Sequence, residues 1–189
     1  MTKTYLITQL EQIENAKREN RMRVTNLVLK NKELFPFLIE IVFELKGKTA
    51  IKAAWILELV CAENIELLAP HLHFFVENIK KLKHDSAVRP ASKICMFLAQ
   101  KQASKIDIII KNYLTKAQID TIIETSFDWL IGKHKVATKA YAMTSLYLLG
   151  KNTDWVHHEL KLIILQNMVT ESAAYKARGK MTLALINKK

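Results

Sequence analysis

The side chains able to carry chemistry in this 189-residue chain are two cysteines, six histidines, three tryptophans, and a lysine directly after each of the four glycines. Gly47-Lys48-Thr49 has the ending of a phosphate-binding loop, whose backbone amides cradle phosphate when a strand and a second glycine precede it. Position 42 here is Val42, inside an amphipathic helical pattern, so Gly47 reads as a helix cap. No two histidines are spaced i, i+4, the spacing that aligns two imidazoles on one helix face for a metal. His71 and His73 fall on opposite sides of a helix, and His157 and His158 differ by about 100°. Cys61 and Cys95 lie in apolar helical stretches without a Cys-x-x-Cys pair and read as buried thiols. Neither a Gly-x-Ser-x-Gly elbow nor a dinucleotide fingerprint is present. The expectation is therefore no cofactor, no metal and no assigned catalytic residue; with no complete catalytic motif the reading leans away from an enzyme and leaves the question open.

Charge is the stronger signal. Formal net charge is +11, from 29 Lys and Arg against 18 Asp and Glu. The bases are partly sorted: Lys17, Arg18, Arg21, Arg23, Lys48, Lys52, Arg89, Lys93, Lys133, Lys135, Lys139, Lys176, Arg178 and Lys180 gather where every second helix opens. The intervening helices hold most of the acids, among them Glu33, Glu40, Glu44, Glu77, Asp120 and Asp128. Cations at helix N-termini oppose the helix dipole by several tenths of a kcal/mol each. That cost favours a reason beyond local stability, although such bases can also bridge to acids of adjacent repeats.

The elements that must position these residues are helices. Four Gly and three Pro leave little material for the turns of an all-β chain. Apolar residues at Leu34, Leu38, Ile41, Val42 and Leu45, and again at Ile119, Ile122, Ile123, Phe127 and Leu130, each line one helix face. Gly47 is expected to end the first, and Gly132 to close the second with a left-handed cap. Asp85-Ser86 and Thr153-Asp154 read as N-caps; Pro36 and Pro70 fit first turns, and Pro90 lies deeper in its helix. The pattern predicts about ten helices, near 4–15, 17–31, 33–46, 49–62, 66–82, 86–101, 116–131, 135–150, 154–168 and 172–187. The nearest approach to a strand is Ile106-Asp107-Ile108-Ile109-Ile110, whose flanking Lys105 and Lys111 suit a short helix as well.

A repeat runs through these helices. Ala16-Lys17-Arg18, Ala50-Ile51-Lys52, Ala87-Val88-Arg89, Ala137-Thr138-Lys139 and Ala174-Tyr175-Lys176 each set a base two positions after an alanine. The alanines are 34, 37, 50 and 37 residues apart, the long interval absorbing an insert around residues 102–114. Eleven positions beyond each stands Leu27, Cys61, Leu98, Leu148 or Leu185. A two-helix unit of this length cannot bury its apolar stripe alone, whereas stacked copies share a continuous core.

Through Val88-Arg89, Ile51-Lys52 and Tyr175-Lys176 at the openings of second helices, nearly the whole chain resembles HEAT or armadillo-type repeats. That resemblance implies an all-α, right-handed α-α superhelix of about ten helices in about five pairs, with second helices lining a basic concave face. More narrowly, Ala53-Ala54-Trp55-Ile56-Leu57-Glu58, Asp85-Ser86-Ala87-Val88-Arg89-Pro90 and Phe127-Asp128-Trp129-Leu130 resemble short bacterial proteins that often carry an adenylosuccinate lyase label. The lyase family of that name has longer chains and a flexible serine loop, whereas Thr170-Glu171-Ser172-Ala173-Ala174-Tyr175-Lys176 fits the repeat register as helix. A HEAT-like class of DNA glycosylases uses tryptophans and an aspartate in a basic cleft; Trp55, Asp128 with Trp129, and Asp154 with Trp155 supply those residue types.

The reading that follows is a single HEAT-like domain over residues 1–189, a binding or scaffold module whose basic face takes an acidic protein or segment. Nucleic-acid binding through the same face is the alternative; lyase or glycosylase activity is a further one. Arg18, Arg21, Lys52, Arg89, Lys139, Lys176 and Arg178 are the candidate contacts, with Trp55 as an aromatic candidate on a second helix. No run reaches the roughly 18–20 apolar residues of a membrane span, and the first eleven residues lack the apolar core of a secretion signal. A reduced, cytoplasmic protein without membrane association is expected.

Overall fold

A computed structural model describes residues 1–106 and 109–188. Eleven α-helices and no strand occur among the described residues. They are α1 (Lys3–Glu11), α2 (Arg18–Lys30), α3 (Phe35–Glu44), α4 (Lys48–Glu63), α5 (Leu72–Ile79), α6 (Asp85–Ala103), α7 (Ile109–Tyr113), α8 (Lys116–Ile131), α9 (Val136–Leu149), α10 (Asp154–Asn167) and α11 (Ala173–Ile186). The all-helical expectation holds, with the short α7 added in the insert. The ambiguous Ile106–Ile110 stretch includes residues 107 and 108, which lie outside the described residues.

Local chemistry sets the helix ends, and in several places it differs from the sequence expectation. Gly47 does not end a helix. α3 stops at Glu44, Leu45 is extended, and Gly47, at φ 78° and ψ −152°, opens α4. Only glycine adopts that conformation cheaply. Gly132 follows α8 with φ −64° and ψ 168°, so its cap is extended rather than left-handed. Its constraint is space, since a Cβ there would lie 2.8 Å from the Asp128 carbonyl oxygen. Asp85 falls inside the first turn of α6, and it is the His84 ring, through Nδ1, that accepts from the Ser86 amide at 3.2 Å. Thr153 occupies the N-cap of α10 without a side-chain capping bond, whereas Asp154, in the first turn, suits the positive end of the dipole. Thr115 and Gln118 form a capping box that opens α8. Pro36 sits in the first turn of α3, as expected. Pro70 lies in a 3₁₀ turn, Ile65–His71, which leads into α5 and divides the helix expected over 66–82.

The chain divides into two compact units, Met1–Ile94 and Cys95–Lys189. In the first, α4 is the hub and packs on α1, α2 and α3. Ala53, Ile56, Leu57 and Val60 of that helix are buried, as are Leu6, Leu10, Val24, Val28, Leu38 and Ile41 of the helices it packs on. Fully burying one such large apolar side chain contributes about 1.5–3 kcal/mol. Lys3 ties α1 to α3 by reaching Glu40 Oε2 at 2.9 Å and Glu44 Oε2 at 2.7 Å, and the two carboxylates hold its ammonium above the usual lysine range. In the second unit α9 is the hub and packs on α8, α10 and α11. Ala142, Met143 and Leu146 meet a core that includes Ile123, Leu130, Leu160, Ile164 and Tyr175.

The five alanines lie near helix starts. Ala50 and Ala87 are third residues of α4 and α6, Ala137 and Ala174 are second residues of α9 and α11, and Ala16 lies two before α2. Eight positions beyond each alanine stand Val24, Glu58, Cys95, Ser145 and Thr182, all buried. Three of the five are polar, so hydrophobic periodicity does not reveal this position. Eleven positions on, Cys61 and Leu98 are buried, Leu27 and Leu148 are half-buried, and Leu185 is exposed on α11.

Candidate functional site

The bases at the register position have different surroundings. Arg89, in the second turn of α6, donates from Nη2 to Glu58 Oε2 of α4 at 2.8 Å, and Lys93, one turn on, donates to Glu58 Oε1 at 2.9 Å. The Glu58 side chain is only 4% exposed, so both of its oxygens depend on these charge-assisted bonds. In the second unit Lys139 of α9 is 8% exposed, reaches Glu171 Oε1 at 2.5 Å and lies 5.8 Å from the centre of the Tyr175 ring. Lys52 donates to the backbone oxygen of Glu11 at 2.8 Å and so ties α4 to the end of α1. Arg89 and Lys139 therefore join neighbouring helices, and their charge is met inside the protein.

Other bases are directed outward. Arg18 is exposed at the opening of α2, and Lys176 and Arg178 are half-buried in the first turns of α11; none has an acidic partner among the described residues. Lys48, Lys133, Lys135 and Lys180 are exposed and likewise unpaired among the described residues. Arg21 is half-buried, with its Nε lacking a hydrogen-bond partner. Several acids face other cations: Glu40 and Glu44 meet Lys3, and Asp120 meets Lys116.

Trp55 is half-buried on α4, and its indole N–H donates to the Ser86 backbone oxygen at 3.1 Å, which fixes the ring against the start of α6. Trp129 of α8 is buried, and Trp155 of α10 is exposed and stacked on Phe127 with centroids 5.8 Å apart. Cys61 and Cys95 are fully buried, and burial pushes both thiols well above their ordinary range, away from the thiolate that nucleophilic or redox chemistry requires. His71 tilts against Phe35, and burial lowers its pKa. His157 is buried, stacked on Tyr147, with Nε2 2.8 Å from the Tyr147 backbone oxygen. No group of three or more His, Cys, Asp or Glu able to hold a metal occurs among the described residues. No helix among them is long and apolar enough to cross a membrane.

Glu58 and Glu171 were not singled out from the sequence. Glu58 has a sequence signal, being the one acid at a register position otherwise filled by Val, Cys, Ser and Thr. Glu171 stands just before a helix and has no such signal. Compared with known protein families, with curated proteins and with solved structures, the chain matches none.

Proposed function

We propose that the protein is a non-enzymatic helical-repeat binding module, its helix pairs stacked as a HEAT-like superhelix, that engages an acidic protein segment through the basic openings of its second helices. The observation that carries this reading is the imbalance at those openings. Arg18, Lys48, Lys133, Lys135, Lys176 and Arg178 have no carboxylate partner among the described residues, while Glu40 and Glu44 are paired with Lys3 and Asp120 with Lys116. Unpaired cations placed against the helix dipole raise local positive potential, which speeds encounter with an acidic partner and repels basic ones.

The test is fluorescence anisotropy of a labelled glutamate-rich peptide and of labelled single-stranded DNA, each titrated with the protein at low and moderate salt. Peptide binding that weakens in a variant carrying Arg18→Glu, Lys176→Glu and Arg178→Glu supports the reading. Tighter binding of the DNA, with a steep logarithmic salt slope, transfers the role to nucleic acid. No binding of either at low salt overturns both.

A further inference from the structure

In the first unit a cleft of about 400 Å³ opens between the loop joining α3 to α4 and the loop joining α5 to α6. Its floor is apolar, with Phe43, Ile51 and Leu82, and its rim carries Lys46, Lys81 and Lys83. No acid lines it. Phe43 is held from behind by edge-on contacts with Phe74 and Phe75, at 5.9 and 6.0 Å between centroids. Lys81 is steadied by Asn78 Oδ1 at 2.7 Å, a neutral acceptor that leaves its charge uncompensated. Gly47, on the cleft wall, has no side chain to obstruct the mouth, and nothing lies within 4 Å of where a Cβ would stand.

We infer that this cleft is an anchor site for an acidic peptide segment carrying one large apolar side chain, which enters the floor while flanking carboxylates meet Lys46, Lys81 and Lys83. The inference rests on the binding-module reading above and specifies the partner's chemistry. The volume falls within the range of specific ligand sites, and an aromatic or large aliphatic anchor ringed by polar contacts is the usual energetic centre of a peptide interface. Charge decides the flanks, since three ammonium groups without a lining carboxylate select acidic neighbours. The floor decides the anchor. A phosphate or carboxylate seated on Phe43 and Ile51 would lose its hydration without gaining donors, whereas an apolar side chain gains by leaving water. A nucleotide base would bring polar edges to the same floor, where the side chains of Phe43, Ile51 and Leu82 offer no hydrogen-bond partner.

The experiment uses two labelled peptides rich in Asp and Glu, one with a single central Phe and one with Ala in its place, together with labelled single-stranded DNA, titrated by anisotropy against the full chain. The Phe peptide is expected to bind at least about tenfold more tightly than the Ala peptide. Lys46→Glu with Lys83→Glu, two exposed loop positions, abolishes that preference, while the equal charge change Lys161→Glu with Lys188→Glu, at exposed positions outside the basic openings, preserves it. Circular dichroism confirms that both variants are folded. A benzophenone-bearing amino acid in place of the Phe should crosslink to Phe43, Ile51 or Leu82. Equal binding of the two peptides, or a preference untouched by the Lys46/Lys83 changes, overturns the cleft and leaves the acidic-partner reading standing. Failure of both peptides to bind at low salt overturns the two together. DNA binding that is lost in the Lys46/Lys83 variant, without binding of the Phe peptide, assigns the cleft to nucleic acid and overturns the inference.

Discussion

Arg89 Nη2 meets Glu58 Oε2 at 2.8 Å across the contact between α4 and α6, and the carboxylate is almost wholly removed from water while the guanidinium keeps 30% exposure. The asymmetry predicts which partner can be removed more cheaply. Without Glu58, Arg89 and Lys93 can turn to solvent; without Arg89, a buried carboxylate is left with one strong partner fewer. Glu58→Ala is expected to cost about 1–2 kcal/mol and Arg89→Ala about 2–3 kcal/mol, with the double variant less destabilised than the sum by about 1 kcal/mol. Urea unfolding of the four proteins measures each value, and additive costs would show that the pair is not coupled.

Lys139 and Glu171 invert that asymmetry, for here the cation is buried and the carboxylate is 26% exposed. Glu171→Gln leaves a buried ammonium facing a neutral amide and is expected to cost about 1–3 kcal/mol. Lys139→Met keeps the aliphatic stem packed against Tyr175 and frees Glu171 toward water, so it should cost less. Chemical denaturation gives the order, and a more destabilised Lys139→Met would refute it.

The same geometry separates two sets of charge reversals that the sequence pattern treats alike. Arg89→Glu places a second carboxylate against Glu58, and Lys139→Glu does so against Glu171, so both should lower the melting temperature by several degrees. Arg18→Glu and Arg178→Glu, which have no ionic partner among the described residues, should leave melting within about 2 °C while weakening binding of a glutamate-rich peptide. Differential scanning fluorimetry beside anisotropy distinguishes the two behaviours.

How far the sequence carries the fold depends on the range of the interaction that fixes each feature. The helix over Lys116–Ile131 is legible because its apolar stripe and the Gly132 that follows it are local signals. The helix expected over 66–82 divides because Pro70 sits in a 3₁₀ turn, whose tighter winding the apolar pattern does not distinguish from α. The basic openings are legible as a pattern in Arg18, Lys52, Arg89, Lys139 and Lys176. Which of them remain available is not, since Glu58 and Glu171 stand 31 and 32 residues from their partners. The cleft joins two loops some 35 residues apart, Leu45 to Gly47 and Lys81 to His84, and only folding brings them together.

Gly47 offers a test of backbone strain free of crowding. Its φ of 78° and ψ of −152° suit glycine alone, yet a Cβ would touch nothing within 4 Å. Gly47→Ala is therefore expected to cost about 1–3 kcal/mol through the dihedral alone. If urea unfolding shows no loss, the α3–α4 loop relaxes to another conformation, and the Lys46 rim of the cleft shifts with it.

Cys61 and Cys95 connect packing to pH. Burial raises both thiols in the folded chain far above their ordinary value of 9.0, so the folded state keeps protons that the unfolded state releases in alkali. The unfolded chain then binds fewer protons, and stability falls as pH rises. The contribution is fully present below pH 9.0 and is lost progressively above it, at most on the order of 1 kcal/mol per pH unit for each thiol. Urea unfolding at pH 8 and pH 10 should show this loss in the native sequence and a smaller one in Cys61→Ala with Cys95→Ala, whose own cavity cost appears equally at both pH values. The same burial predicts that a thiol reagent labels neither cysteine until the protein unfolds, so labelling should follow the urea transition. Rapid labelling without urea would mean that α4 or α6 opens locally, exposing the core around the first unit's hub helix or the segment of α6 that carries Cys95.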